Sequence, residues 1–269
     1  MIILLLNISM FMNAHFLEFD RFFGCKTVIL KVINKISFTG STDVGRKIAR
    51  TCGENLKPCL MELGGKNNAI VCADADLQKA AKERIVGAVL HSGQICMLTD
   101  RIIIHADIAE RFLEILKVTI INLASSVPAP PYLVNAAAKS RLQVIVSNAL
   151  SEGASSLVGD IEQLQPREGD GATPVIFAPM IIRGIQDERA LWQDENFGPV
   201  AAYRIAKSDE EAIAIAKQLE AGAVHINNMS VRDELALPMG GMKNSGWGRF
   251  NTMLGIEEFL VAKLVTWDD

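Results

Sequence analysis

Residues 34–52 read NKISFTGSTDVGRKIARTC. Polar and apolar residues alternate over 34–39, the pattern of a strand. Gly40-Ser41-Thr42-Asp43 is a turn rich in helix N-cap residues, and Val44 to Cys52 continues as a helix with basic side chains along it. The unit is therefore strand, glycine turn, helix. The same order recurs along the chain. A short apolar strand is expected at Ala69–Cys72. A helix capped by Asp74 or Asp76 then runs to about His91, with Leu77, Ala80, Ala81, Ile85 and Ala88 on one face. Ser92-Gly93-Gln94 breaks it. Arg101–His105 reads as a strand and Ile108–Lys117 as a helix, followed by a proline-rich connection at 125–131. Asn135 caps a helix to about Glu152, ended by Gly153 in a left-handed turn. Strands are expected near 155–158, 175–182, 199–205, 223–227 and 261–267, with helices over Asp209–Glu220 and 252–260 and a glycine-rich stretch at 238–249. Strands alternating with helices imply an α/β protein with a mainly parallel sheet.

The chain's 269 residues suit one large or two modest domains. Apolar residues at 49% and charged residues at 22% are those of a soluble α/β protein, which makes a membrane role unexpected. A net charge of −4 supplies no basic face for phosphates, so no nucleic-acid partner is expected. The five cysteines (Cys25, Cys52, Cys59, Cys72, Cys96) are odd in number and none has CxxC spacing. That argues against a disulfide framework and a zinc site, and for a reducing, cytoplasmic setting. His91, His105 and His225 lack metal-ligand spacing and read as structural or surface residues, so no metal is expected. Met1–Leu17 is strongly apolar, but no Lys or Arg occurs before Arg21 and the stretch is broken by Asn7, Ser9, Asn13 and His15. It fits neither a signal peptide nor a spanning helix.

Three short motifs could carry chemistry. Glu62 in MELGGK (61–66) stands beside two glycines, where backbone can turn tightly or approach a ligand. Cys96 in GQIC (93–96) follows a helix break that can expose a thiol. DENFGPV (194–200) sets Glu195 and Phe197 before a Gly-Pro turn. Singly these read as a surface carboxylate, a buried structural cysteine and an ordinary turn.

In combination they say more. FTGSTDVG, ELGGK, GQIC, ENFGPV, GAVHIN and PMGGMKNSGWGR occur in that order, and Glu62 precedes Cys96 by 34 residues. From about Ile33 to Trp267 the chain resembles the aldehyde dehydrogenase superfamily. LVNAAAKSRL (133–142) and ELALPMGGMKNSGWGRF (234–250) resemble its salicylaldehyde and vanillin dehydrogenase branch. The resemblance implies NAD(P)-dependent oxidation of an aldehyde to a carboxylic acid, and the branch it resembles implies an aromatic aldehyde. It makes Cys96 the nucleophile and Glu62 the base that activates the hydrolytic water. Glu195 would hold the nicotinamide ribose, with Phe197 packing beside the ring. Gly40 and Ser41 would lie near the pyrophosphate of NAD or NADP, and Leu63 would touch the carboxamide through its backbone. A homo-oligomer is compatible with this family.

The resemblance also implies departures. Residues 1–32 are too short for the family's first half of the dinucleotide-binding sheet. They contain no Pro-Trp-Asn segment, whose Asn supplies half of the oxyanion hole. SDEEAIAIA (208–216) and KQLEAG (217–222) match family segments that a further helix turn and strand normally separate, so an internal deletion is expected near 216–217. The expected organisation is an aldehyde dehydrogenase-like fold with a partial Rossmann-type cofactor domain and an α/β catalytic domain. It comprises an atypical segment at 1–32, a dinucleotide-binding remnant at 33–62, a catalytic domain at 63–240 and a return to the cofactor and oligomerisation region at 241–269. These departures support an alternative: an inactive, truncated pseudoenzyme acting through association with a full-length relative.

Overall fold

The computed structural model describes residues 3–7, 34–126, 131–161, 175–206 and 212–268. In chain order the elements are β1 (Ile3–Asn7), β2 (Lys35–Gly40), α1 (Thr42–Glu54), β3 (Cys59–Leu63), β4 (Asn68–Val71) and α2 (Leu77–Val89). There follow β5 (Arg101–His105), α3 (Ala109–Ser126), α4 (Ala136–Ser151), β6 (Ser155–Val158), β7 (Met180–Arg183) and α5 (Ala190–Gln193). The last are β8 (Val200–Ala206), α6 (Ala212–Gln218), β9 (Gly246–Trp247) and α7 (Thr252–Glu257). The chain divides into two compact units: Met1–Gly64 with Glu220–Ala223 and Asp233–Asp269, and Gly65–Leu219 with Val224–Arg232.

The first unit is built on a four-stranded sheet in the order β1-β2-β3-β9. The first three strands run parallel and β9 antiparallel. Ile36, Phe38, Ile48, Cys52, Met61 and Leu63 form its core. Gly45, Ile48 and Cys52 are the buried face of α1. That helix presses closely on the sheet, since a Cβ at Gly45 would stand 2.5 Å from a Leu63 methyl. Gly246 is required by its place in β9. Its φ is +114°, and a Cβ there would lie 2.1 Å from the Met61 carbonyl oxygen.

The second unit holds a five-stranded sheet in the order β4-β5-β8-β7-β6, parallel except for β6. Successive strand residues face opposite sides, and that alternation divides the unit's core. Ile102, Ile104, Ile181, Ala201 and Tyr203 pack with α2 and α3 through Ile85, Phe112 and Leu116. Met180, Ile182, Val200 and Ala202 pack with α4 through Leu142 and Val146, and with Leu191 and Trp192 of α5. Helices on both faces of a parallel sheet make the α/β architecture expected from the alternation of elements.

Several elements differ from the sequence reading. CLMEL is a strand, β3, where the sequence suggested only a turn. Its Glu62 is a buried carboxylate that disguises an apolar run. β7 begins at Met180 rather than 175, and α3 extends beyond Lys117 to Ser126. The strands expected at 223–227 and 261–267 do not form. A strand needs a ladder neighbour to satisfy its backbone groups, and among the described residues none pairs with either segment. Leu260, Val261, Leu264, Val265 and Trp267 are exposed. The 252–260 helix is shorter, ending at Glu257. Residues 8–33, 127–130, 162–174 and 207–211, which include most of the 1–32 segment and the start of the expected 209–220 helix, lie outside the described residues. Among the described residues no helix is long and apolar enough to cross a membrane.

Ile102 is fully buried in the middle of the larger sheet, whereas Ile103 on the same strand is only half-buried. Ile102→Ala is expected to cost about 2–5 kcal/mol of unfolding free energy in a denaturant titration, and Ile103→Ala clearly less.

Candidate functional site

Four of the expected site residues meet in the first unit. β2 and β3 are parallel and in register, with Thr39 opposite Glu62 and Gly40 opposite Leu63. The glycine turn and the carboxylate strand therefore end side by side, at the carboxyl ends of two neighbouring parallel strands. Ser41 caps α1, its Oγ accepting the Val44 N–H at 3.4 Å. The start of a helix there turns backbone N–H groups toward an anion. Asp43 occupies the same turn and pairs with Arg46 at 3.4 Å. Glu62 is 7% exposed, held between Thr39 on β2 and Gly246 on β9.

Cys96, Glu195 and Phe197 belong to the second unit, and the topology explains why their segments meet. β4, β5 and β8 are adjacent, with Asn68 opposite Arg101 and Arg101 opposite Ala202. The segments entering these strands, 65–67, 94–100 and 194–199, must therefore lie together at the strands' amino ends. Gly93 and Gly198 then touch backbone to backbone. A Cβ on Gly93, whose φ is +68°, would lie 2.3 Å from the Gly198 carbonyl carbon. Gly198 in turn lies against Leu142, where a Cβ would stand 2.4 Å from a methyl. Phe197 is half-buried and holds a positive φ of 50°.

Cys96 is half-buried on a turn closed by a hydrogen bond from the Leu98 N–H to the Ile95 carbonyl, 3.1 Å. The Asn67 side-chain amide donates to the carbonyls of both Cys96, 2.8 Å, and Leu98, 3.1 Å. Thr99 fixes the far side. Its N–H donates to the Gly87 carbonyl at 2.9 Å, and its hydroxyl bonds that of Ser230 at 2.8 Å. On the near side, Gln94 donates to the Tyr132 carbonyl and accepts the Val134 N–H.

A buried charge cluster underlies the turn. Lys66 and Asp100 pair at 3.1 Å, with side-chain exposures of 7% and 0%. Asp100 also accepts the backbone N–H groups of Asn67, at 3.2 Å, and of Asn196. Burial pulls the Lys66 ammonium down and pushes the Asp100 carboxyl up, and each partner offsets the other. Glu195 accepts the Gly65 N–H at 3.3 Å, and Arg141 donates to the carbonyls of Glu195 and Asn196. Burial and then the Asp100 charge raise the Glu195 carboxyl to about 7, against the Gly65 N–H and the Arg141 and Lys66 cations. Lys66, Asn67, Asp100 and Arg141 were not singled out from the sequence. The one available signal was Asp100, a charge at the entrance to the apolar strand RIIIH. Among the described residues no group of three or more His, Cys, Asp or Glu side chains could hold a metal ion.

The chain matches the family model described as "Aldehyde dehydrogenase family" over residues 24–217 and 205–265. It is 34% identical to a vanillin dehydrogenase of Pseudomonas fluorescens, covering 87% of this chain and 52% of the relative. It is 35% identical to a benzaldehyde dehydrogenase [NAD(+)] of Pseudomonas putida, with 87% and 52% covered. Lactaldehyde dehydrogenase from Escherichia coli superimposes with a TM-score of 0.77 at 27% identity, over 87% of this chain and 53% of that one. Betaine aldehyde dehydrogenase from Staphylococcus aureus in complex with NAD+ gives a TM-score of 0.77 at 25% identity, over 89% and 54%. The chain spans about half the length of the relatives it matches.

Gly93→Ala is expected to destabilise the chain and to slow alkylation of Cys96, because the new methyl has no room and the backbone is left-handed. Thermal unfolding and mass-resolved thiol labelling measure both. Glu195 gives a pH signature. A carboxyl raised in the folded state stabilises the protein fully below its unfolded pKa, and loses that contribution as pH rises through about 7. The stability difference between the wild type and Glu195→Gln should therefore move against the wild type between about pH 4.5 and pH 7; parallel pH–Tm curves for the two proteins would contradict this.

Proposed function

The chain belongs to the aldehyde dehydrogenase family, and from that premise we propose that it oxidises an aldehyde to a carboxylic acid with NAD or NADP, through a covalent intermediate on Cys96. The observation that carries the reading is the Cys96 turn itself, a half-buried cysteine whose backbone is fixed by Asn67, Thr99 and the Gly93–Gly198 contact. Such a thiol can be presented to a carbonyl in one geometry.

The residues present fit part of a nicotinamide dinucleotide. Gly40 and Leu63 end parallel neighbours where α1 begins, the arrangement in which nucleotides lie outside strand carboxyl ends. The Glu195 carboxylate is an acceptor suited to a sugar hydroxyl, and Phe197 offers an aromatic face. When bound, the cofactor supplies the hydride acceptor. On the chain's side, the Cys96 thiolate adds to the aldehyde carbon and gives a thiohemiacetal oxyanion. Loss of hydride leaves a Cys96 thioester. Glu62 takes a proton from water, whose oxygen attacks the thioester carbon; the C–S bond breaks and releases the acid and the Cys96 thiolate. Sulfur suits both steps, as nucleophile and as leaving group. The names of the vanillin, salicylaldehyde and benzaldehyde dehydrogenases among the relatives support an aromatic aldehyde as substrate.

The proposed domain organisation keeps 33–62 as a dinucleotide-binding remnant, 63–240 as the catalytic domain and 241–269 as the return segment. The separation of the two units at Gly64 supports the first boundary. The overlap of the two matched segments at residues 205–217 supports an internal gap near Ala216–Lys217. The proposed setting is cytoplasmic, with a homo-oligomer as a natural state. A second reading, a non-catalytic member that associates with a full-length relative, is favoured by one observation. Leu260, Val261, Leu264, Val265 and Trp267 form an exposed apolar run that pairs with no strand among the described residues.

The purified 269-residue chain, given benzaldehyde and either cofactor, should produce reduced nicotinamide. Cys96→Ala should abolish it. Glu62→Gln should accumulate acyl-enzyme and slow its hydrolysis ~10²–10⁴-fold. Absence of both turnover and a burst in the wild type would overturn the catalytic reading and leave the second.

A further inference from the structure

We propose that Asn67 is a positioning residue for Cys96, and that its side-chain amide sets the orientation of the nucleophile's turn. This rests on the reading of Cys96 as nucleophile. Asn67 immediately precedes β4, beside the start of β5. Its Nδ2 donates to the carbonyls of Cys96, 2.8 Å, and Leu98, 3.1 Å. Two carbonyl acceptors require the NH2 end of the amide at that point, which fixes the amide's orientation chemically. The Cys96 carbonyl lies inside the turn closed by the Leu98 N–H and the Ile95 carbonyl, and the Leu98 carbonyl lies at its end. The amide therefore holds the peptide plane that follows Cys96 and the one that follows Leu98, so the backbone leaving the reactive residue is fixed at two points.

Asn67 is itself held. Its N–H donates to Asp100 at 3.2 Å, its carbonyl accepts the Arg101 N–H at 3.0 Å, and Lys66 before it pairs with Asp100. Arg101 also donates to the Lys66 carbonyl at 2.7 Å. The backbone of residues 66–67 is thus fixed to the strand that the Cys96 turn enters, and the Asn67 amide reaches from it to the turn. A side chain whose donors are both spent on turn carbonyls, with its backbone anchored independently, acts on the turn rather than on its own strand. Removing it should leave β4 in place and let the turn relax.

The experiment compares Asn67→Ala, Asn67→Asp and Asn67→Ser with the wild-type chain and with Cys96→Ala. Asp keeps the shape but cannot donate when ionised, and Ser keeps a single donor. Three readouts are taken: kcat and KM for an aromatic aldehyde, the pH profile of Cys96 alkylation by iodoacetamide followed by mass spectrometry, and thermal unfolding. Misplacing a reacting atom by about 1 Å can cost ~100-fold. A fall in kcat of that order for Ala and Asp is expected, with KM little changed, an altered Cys96 alkylation profile, partial recovery in Ser and a folded protein throughout. Unchanged kcat and alkylation in Ala and Asp would overturn the proposal. So would loss of the folded signal in all three variants, since Asn67 would then be a general structural anchor. If the wild type and Cys96→Ala both fail to turn over aldehyde, the reading of Cys96 falls, and the alkylation profile still decides whether Asn67 governs that turn.

Discussion

The approach of Gly93 to Gly198 is the constraint on which the second unit's site depends. There is room at Gly93 for a hydrogen and nothing more, because the next atom out would sit 2.3 Å from a carbonyl carbon. Two segments far apart in sequence are thereby brought to backbone contact, a closeness that side chains could not give. The consequences propagate outward. Gly198 leads directly into β8 and lies against Leu142 of α4. Gln94, the residue after Gly93, bonds both Tyr132 and Val134 at the approach to the same helix. The loop that ends in Cys96 is thus tied at once to a central strand and to a helix that packs on the sheet. Its rigidity comes from the core.

Stability and precision are carried by different groups here. The two faces of the larger sheet bury isoleucine, leucine, valine and phenylalanine, each worth roughly 1.5–3 kcal/mol when fully removed from water. The Lys66–Asp100 pair is as deeply buried, yet desolvation cancels much of its attraction, so it adds little net stability. What it does is directional. Asp100 accepts from Lys66 and from the backbones of Asn67 and Asn196, which joins the ELGGK, cysteine and ENFGPV segments at one carboxylate. Removing only one member would leave a buried charge unmatched, at a cost of about 3–5 kcal/mol. The cluster thus penalises any arrangement of the three segments other than this one.

The α/β architecture was legible because it rests on periodicity and caps. Ser41, Asp76 and Asn135 all cap the helices that their positions suggested. Cys96, Glu62 and Glu195 stood out as residue types in motifs, and a motif points to a chemistry without fixing a geometry. The supporting residues did not. Asn67 and Arg141 act through contacts with backbone 29 and 54 residues away, and no local pattern encodes those partners. β3 was hidden because a buried carboxylate mimics a surface turn. The strands at 223–227 and 261–267 failed for the opposite reason: an apolar run states a need for a ladder neighbour and cannot supply one.

The placement of the second unit's polar groups follows from where parallel strands begin. A strand's first residues, and the loop leading into it, present N–H groups that the ladder has not yet satisfied. β4, β5 and β8 start next to each other, so several such donors collect in one place. A carboxylate offers acceptors alone, up to about four lone-pair sites, which makes Asp and Glu the economical complement. Asp100 takes the N–H groups of Asn67 and Asn196, and Glu195 takes that of Gly65. Two carboxylates at the same strand edge then repel each other, and burial keeps that repulsion unscreened. Burial itself raises the Glu195 carboxyl most and the Asp100 charge adds to it, while Gly65, Arg141 and Lys66 hold it at about 7 rather than letting it go higher. Asn67 stands where these demands cross: its own N–H is met by Asp100, which frees its side-chain donors for the carbonyls of the cysteine turn. The geometry of the Cys96 turn is therefore inherited from the way three parallel strands satisfy their first backbone groups.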